Sequence, residues 1–122
     1  MPYHHVDPDD LPAAPDRPST KRSISDAAGL EHLAAHVYEV APGEAIPLAY
    51  HVHDEQEELF YVTDGELHVE TPDREYAVAA GEAFVVEPES PQRAFVPDDG
   101  EPTTALVVGA PPVDDVRAYD PE

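Results

Sequence analysis

From Ala34 onwards, short apolar stretches alternate with turn residues along the chain. Apolar side chains tend to recur at every second position in AAHVYEV, ELFYVT, ELHVET and TTALVVGA. This period of two is typical of β-strands that bury one face, and no clear helical period occurs after residue 34. Asp64 and Gly65 predict a hairpin turn between ELFYVT and ELHVET. The pattern predicts an all-β domain, either an antiparallel sandwich or a barrel.

The N-terminal stretch differs, because five prolines are spread among acidic residues in the first 22 positions. Proline lacks a backbone donor and is unfavourable inside helices and central strands, so we expect residues 1–22 to form an extended arm. Ser25 and Asp26 can cap a short helix, although Gly29 interrupts it. We expect the barrel to occupy residues 23–110, with a tail of residues 111–122 lying over its outside.

The stretch YHVHDEQEELFYVTDG, residues 50–65, places two histidines one residue apart before an acidic segment. On a strand, His51 and His53 share one face. If residues 54–57 form a loop and the next strand begins at Glu58, Glu58 lies opposite His53, with Cβ atoms about 5 Å apart. Two imidazoles and one carboxylate on one face can bind a divalent transition metal. The alternative is a solvated acidic turn whose histidines have no common role.

These residues resemble the first motif of the cupin superfamily, in which a glycine, HxH, a glutamate and a second glycine follow one another. Gly43, His51, His53, Glu58 and Gly65 match this motif, with a slightly longer spacing than usual between Gly43 and His51. The resemblance implies a small single-domain cupin, that is, an antiparallel β-barrel or jelly roll, here with the extended proline-rich N-terminal arm.

The stretch GEAFVVEPESPQRAF, residues 81–95, resembles the second cupin motif, which contains a glycine, a proline-containing turn and a metal-binding histidine. Here Pro91 is followed by Gln92 instead of histidine, and Glu89 replaces a glycine of the turn. A glutamine amide oxygen is neutral and binds transition metals less well than imidazole nitrogen does. Gln92 can therefore be a weak ligand, hold a metal-bound water, or mark a site that has lost its metal.

The resemblance implies a divalent transition metal, Fe, Mn, Ni, Co, Cu or Zn, held in the barrel by His51, His53 and Glu58, with Gln92 as the fourth candidate. Small cupins include oxygenases, isomerases, decarboxylases and non-catalytic binders, so the fold alone selects no activity. Two hypotheses follow: a metal-dependent enzyme of the oxygenase or isomerase type acting on a small organic molecule, or a non-catalytic small-molecule-binding or sensory cupin with a degenerate metal site. No residue is identified as a catalytic acid or base.

Charge restricts the partners and the cellular setting. The chain has 27 acidic and 6 basic residues, a formal net charge of −21, and Lys21 is its only lysine. Such a surface repels nucleic acid phosphates and anionic lipid headgroups, so we expect neither nucleic acid nor membrane as a partner. Multimolar salt screens the self-repulsion of an acidic surface, which indicates the cytoplasm of a halophilic archaeon. A homodimer is implied by the family resemblance alone.

Cysteine is absent from the chain. Disulfides, thiolate metal sites and cysteine nucleophiles are therefore excluded. The N-terminal stretch has no apolar segment behind a basic start, and no run of 18 apolar residues occurs. From these features we expect an intracellular protein with no membrane anchor.

Overall fold

The computed structural model describes residues 3–47, 50–112 and 116–118. Within these ranges the chain forms ten β-strands, one α-helix and one 3-10 helix at Pro8–Asp10. The remaining elements, in chain order, are β1 (Thr20–Ser23), α1 (Ile24–Ala28), β2 (Ala34–Val40), β3 (His51–His53), β4 (Glu57–Asp64), β5 (Glu66–Glu70), β6 (Glu75–Ala79), β7 (Ala83–Val86), β8 (Arg93–Phe95), β9 (Thr103–Ala110) and β10 (Val116–Ala118). In this part of the chain, no helix has the length and apolar character needed to cross a membrane.

The strands form two antiparallel layers. The first layer has the strand order β1-β2-β9-β4-β7. The second contains β6-β5-β8, and Ala45 forms an isolated bridge to Phe95 of β8. A bridge between His51 and Gln92 connects this layer to β3, which pairs with β10. The predicted all-β class and the antiparallel jelly-roll architecture are confirmed.

The hydrophobic core lies between the layers, as the alternation in the sequence predicts. In β9, for example, Ala105 and Val107 are buried, whereas Leu106 and Val108 are partly exposed on the other face. Burial of each large apolar side chain stabilises the fold by roughly 1.5–3 kcal/mol. The core consists of Tyr38, Val40, Ile46, Phe60, Val62, Leu67, Val69, Val78, Val86, Ala94, Val96, Ala105 and Val107.

The N-cap of the short helix α1 lies two residues earlier than Ser25, the first of the two cap residues that the sequence indicates. Ser23 is the N-cap, and its Oγ accepts a hydrogen bond of 3.1 Å from Asp26 N. Ser25 is instead buried, and its Oγ accepts a 3.1 Å hydrogen bond from Ala35 N. Gly29 ends the helix with φ +68°, a left-handed conformation that glycine adopts without steric cost.

The predicted hairpin at Asp64 and Gly65 is wrong. The strand before this turn, β4, pairs with β7 and β9, whereas the strand after it, β5, pairs with β6 and β8. The turn therefore moves the chain from one layer to the other. Gly65 has φ +81°, and a Cβ atom there would lie 2.5 Å from the carbonyl oxygen of Pro102, so the crossing has no space for a side chain.

Two segments that lie mostly or wholly outside the predicted barrel pair with it. Thr20–Ser23 pairs with β2 at one edge of the first layer, and Val116–Ala118 pairs with β3 at one edge of the second. Edge positions tolerate nearby proline, which explains why the proline-rich flanks do not prevent these pairings. Residues 1–2, 113–115 and 119–122 of the predicted arm and tail lie outside the described residues. The division of the chain at residues 22 and 110 stays a prediction.

Candidate metal centre and adjoining cavities

The two histidines of the HVH stretch share one face of β3, as strand geometry predicts. Their ring centroids are 5.0 Å apart and their planes are nearly perpendicular, at 86°. Val52 between them is buried, 3% exposed. Alternation therefore directs the two imidazoles to one side of the strand and Val52 to the other.

Glu58 meets the histidines, but not through the pairing that the sequence indicates. β3 does not pair with β4, which begins at Glu57 in the other layer. The predicted antiparallel opposition of His53 and Glu58 is wrong, because Glu58 reaches His53 across the interior between the layers. Glu58 Oε1 lies 3.4 Å from His53 Nε2, and both side chains are largely buried. One ligand atom from each of His51, His53 and Glu58 lies within 4.8 Å of the other two.

Gln92 is placed beside this cluster by direct backbone pairing with His51. Gln92 N donates to His51 O at 2.9 Å and His51 N donates to Gln92 O at 3.2 Å, so the two side chains point to the same side. Gln92 Nε2 donates to Glu58 Oε1 at 3.1 Å and lies 3.2 Å from His51 Nε2. The Gln92 side chain is only 1% exposed, and its buried Oε1 has no hydrogen-bond partner.

The donor set fits a first-row divalent cation. Imidazole nitrogen and carboxylate oxygen bind such cations at about 2.0–2.2 Å, so two tetrahedral ligands lie about 3.4 Å apart. The 3.4 Å between His53 Nε2 and Glu58 Oε1 equals this separation. A half-turn of the Gln92 amide exchanges its oxygen and nitrogen, which would direct Oε1 at the cluster.

The cluster lines a cavity of about 310 Å³, and Tyr38, Phe60 and Arg17 also line it. A second cavity of about 290 Å³ adjoins it, because Tyr38, Ile46 and Glu58 line both. Lys21, His36 and Gln56 line the second cavity only. Either volume can hold a small organic molecule next to the candidate ligands.

Burial fixes the protonation of two residues in these cavities. It raises the pKa of Tyr38 to about 12, so the phenol stays neutral and can donate a hydrogen bond. Burial is also the main reason why the pKa of His36 falls to about 4, with repulsion from Lys21 second, so this imidazole is neutral near pH 7. The pKa of Lys21 is lowered first by burial and then by the nearby charge of Arg17.

The sequence did not identify Arg17, Lys21, His36 and Tyr38 as cavity residues. The alternation in AAHVYEV places His36 and Tyr38 on the same face as buried Val40, and this signal was available. Lys21 lies opposite Tyr38 in the register of β1 and β2. That contact joins a proline-rich flank to an edge of the sheet, and no local pattern predicts it.

Solved structures with a similar fold include three that cover most of this chain. The polyketide cyclase RemF of Streptomyces resistomycificus is 25% identical, with a TM-score of 0.81, over 97% of this chain and 86% of that protein. A protein of Acidithiobacillus ferrooxidans assigned as a sugar phosphate isomerase is 27% identical, with a TM-score of 0.67, over 75% of this chain. The present chain spans only 58% of that protein's length. A sugar phosphate isomerase of Silicibacter pomeroyi is 24% identical, with a TM-score of 0.75, over 88% of this chain and 75% of that one.

Comparison with curated protein sequences gives no match. The family model described as the cupin domain matches residues 36–109, a range that includes His51, His53, Glu58 and Gln92. That range is more than half of the chain, and the matching motif residues converge on one cavity. The chain therefore belongs to the cupin family.

Proposed function

We propose that this cupin binds one divalent transition metal ion through His51, His53 and Glu58. The observation that supports this proposal most directly is that one ligand atom of each residue lies within 4.8 Å of the others. Three partly buried polar groups that converge beside apolar core residues are costly to desolvate, and a bound cation would satisfy them together. Fe, Mn, Ni, Co, Cu and Zn all accept such a donor set.

Gln92 is the proposed fourth residue of the centre. Its amide can provide an oxygen ligand, or it can hold a water molecule at the open position. Both roles require the amide to turn so that Oε1 faces His51 and Glu58, because Nε2 now lies 3.2 Å from His51 Nε2 and 3.1 Å from Glu58 Oε1. The turn also gives a partner to an oxygen that is buried and unsatisfied.

The proposed activity is metal-dependent conversion of a small organic molecule, of the isomerase or oxygenase type. When bound, the metal would supply Lewis-acid or oxygen-activating chemistry. Tyr38 lines the same cavity as a neutral phenol and can donate a hydrogen bond or a proton to a substrate oxygen. Phe60 and Ile46 form apolar walls that limit water. The similarity to a polyketide cyclase and to a protein assigned as a sugar phosphate isomerase supports an enzyme with a small organic substrate.

The second candidate function is small-molecule binding or sensing without turnover, with a degenerate metal site. The amide of Gln92 favours it, because Gln92 donates to Glu58 and so competes with a metal for this carboxylate. In that case the cavity of about 310 Å³ holds an organic ligand. The two functions differ in whether the bound molecule is altered when the metal is present.

Elemental analysis of protein purified in high salt without an affinity tag tests the metal proposal. We expect about one metal ion per chain in the wild type and its loss in His51→Ala/His53→Ala. His4→Ala/His5→Ala is the matched control, because it removes two histidines from exposed positions and should keep the metal. Wild-type protein that contains no metal and takes up none would rule out the proposal, as would equal loss in the control.

The proposed setting is the cytoplasm of a halophilic archaeon, with a small-molecule ligand and with neither nucleic acid nor membrane as a partner. The net charge of −21 supports it, since salt screens the repulsion among the acidic residues. The thermal unfolding midpoint should then rise as KCl increases from about 0.1 M, where the Debye length is about 10 Å, to about 1 M, where it is about 3 Å. A midpoint that falls over this range would contradict the proposed setting.

The proposed assembly is a homodimer through the outer face of the first layer. Leu59, Tyr61 and Val85 are 38, 42 and 62% exposed on adjacent strands of this face, and Leu59 pairs directly with Val85. An exposed apolar face of this kind is commonly covered by a second copy of the chain. Light scattering should give twice the chain mass for the wild type and the single-chain mass for Leu59→Asp/Tyr61→Asp. A monomeric wild type would exclude the dimer.

A further inference from the structure

In the part of the chain that the structure describes, two basic side chains have neither an ion pair with a carboxylate nor a contact with an aromatic ring. Four of the six basic residues have a partner: Arg22 pairs with Glu39, Arg93 with Glu70, Arg117 with Asp54, and Arg74 lies over the ring of Tyr76. Among the described residues, neither Arg17 nor Lys21 forms an ion pair. Burial and Arg17 lower the pKa of Lys21 and the charge of Asp26 opposes them, but Asp26 forms no ion pair with Lys21. In a chain with 27 acidic residues, two cations that form no ion pair with any described residue indicate that their counter-ion is a ligand.

Both of these cations face the cavities. Arg17 lines the cavity that contains the candidate metal ligands, and Lys21 lines the adjoining one. Lys21 is opposite Tyr38 in the register of β1 and β2, and opposed residues point to the same face of a sheet. Its neighbour Arg22 is opposite Val37 and belongs to the outer face. The sheet therefore directs the only lysine of the chain inward.

Arg17 and Lys21 line two adjacent cavities, where their positive charges repel one another. The charge of Arg17 lowers the pKa of Lys21, after burial, and contributes in the same direction at His36 and Tyr38. Two like charges at a partly desolvated site raise the free energy of the empty protein, and an anion between them relieves it. His36 adds a neutral polar group, because its Nδ1 is buried without a hydrogen-bond partner and can donate to the same anion.

We infer that Arg17 and Lys21 bind the anionic group, a carboxylate or a phosphate, of a small molecule whose other end lies beside His51, His53 and Glu58. This inference names the ligand class of the proposed function and rests on it for the metal end only. The two cavities share Tyr38, Ile46 and Glu58 in their walls, so they are adjacent, and the inferred molecule extends from one into the other. The acidic surface repels anions at long range, so an anionic ligand needs these local cations to bind. Arg117 has no part in this, because its side chain is paired with Asp54 at 2.7 Å.

The single lysine allows a direct test by NMR. Protein that contains lysine labelled with ¹³C at Cε gives one side-chain resonance, which belongs to Lys21. Metal-free protein is titrated with inorganic phosphate and, separately, with acetate, at constant ionic strength. We expect a saturable shift of the Lys21 resonance with at least one of these probes. Saturation by phosphate alone indicates a phosphate group as the ligand anion, and saturation by acetate indicates a carboxylate.

Variants distinguish a built site from general charge effects. In calorimetry, Arg17→Gln should lower the affinity for the anion about tenfold, and Lys21→Met should abolish anion binding. Arg74→Gln removes one exposed positive charge that lines neither cavity, and this variant should bind the anion like the wild type. Arg17 is itself exposed, so its variant should fold even if Lys21→Met does not.

Several outcomes would overturn the inference: no saturable shift in the wild type, an unchanged affinity in Arg17→Gln, or equal weakening in Arg74→Gln. The same preparations are loaded with Zn²⁺ to separate this inference from the metal proposal. Protein that binds the anion at Lys21 but takes up no metal keeps the inference and removes the proposed function. Protein that binds metal but neither anion removes the inference only.

Discussion

Replacement of Gln92 by histidine should tighten metal binding, because position 92 already faces the candidate ligands. Gln92 is 1% exposed, and its Nε2 lies 3.1 Å from Glu58 Oε1 and 3.2 Å from His51 Nε2. The terminal atoms of the two side chains reach about equally far from the backbone, so an imidazole nitrogen at position 92 would replace the amide nitrogen with little repacking. The variant has the histidine that the second cupin motif normally places there.

The size of the effect follows from two hydrogen-bond contacts. In the wild type a metal must compete with the amide for Glu58 and for His51, and each such hydrogen bond contributes roughly 0.5–1.5 kcal/mol, or more with a charged partner. A neutral imidazole can donate only one hydrogen bond from its two nitrogens, so about one contact no longer competes. Imidazole is also the better metal donor. We therefore expect a net gain of about 1.4–2.8 kcal/mol, which is about tenfold to a hundredfold in Kd.

The assay is competition with a chromophoric chelator for Zn²⁺ or Ni²⁺ in high salt, with circular dichroism as a check of the fold. The matched control is the exchange variant His51→Gln/Gln92→His. It has the amino-acid composition of the wild type and should bind within about threefold of it if positions 51 and 92 contribute equivalent ligands. A correctly folded Gln92→His protein whose metal affinity is unchanged or weaker would refute the reasoning.

Three further predictions concern stability. Gly65→Ala should lower the free energy of unfolding by about 3 kcal/mol or more, since φ is +81° and the new Cβ would clash with Pro102 and Thr103. Gly81→Ala, at φ +87° with open space around the new Cβ, should lower it by only about 1–2 kcal/mol. Equal losses for the two variants in urea unfolding would disprove the steric account. Glu89→Gly should raise the unfolding free energy by up to about 1 kcal/mol, because Glu89 is exposed and has φ +66°. A destabilised variant would show that Glu89 makes a contact that outweighs the backbone strain. The folded pKa of His36, about 4, is below its usual 6.5, so the unfolded chain binds more protons between these values and stability should fall as pH drops from about 6.5 to about 4. Solvent screening reduces this contribution to about 1–2 kcal/mol. The unfolding free energies of wild type and His36→Gln, plotted against pH, should diverge within this pH window. Parallel curves would contradict the prediction.

The sequence predicted most strands correctly because their signal is local. β2 and β9 begin and end where the alternation begins and ends. The assignment of strands to layers was not predicted. Asp64 and Gly65 have the composition of a hairpin turn whether or not the strands on either side of them pair with each other. Only the non-local packing of Gly65 against Pro102 and Thr103 distinguishes a crossing between layers from a hairpin.

The candidate metal site shows the same division. His51 and His53 were placed on one face by the period of a strand, and the structure agrees. Glu58 was placed correctly beside His53, but for the wrong reason, since the two meet across the interior and not along one sheet. The position of Lys21 at a cavity could not be predicted from the sequence, because it depends on an edge strand in a proline-rich flank.

The crystal structure of the metal-loaded protein, with anomalous diffraction recorded at the absorption edge of the metal, tests the central claim most directly. The acidic surface offers many weak cation sites, and this measurement distinguishes them from the cavity. The account predicts one strong peak about 2.0–2.2 Å from His51, His53 and Glu58. A strongest peak among surface carboxylates, with no peak between these three side chains, would contradict it.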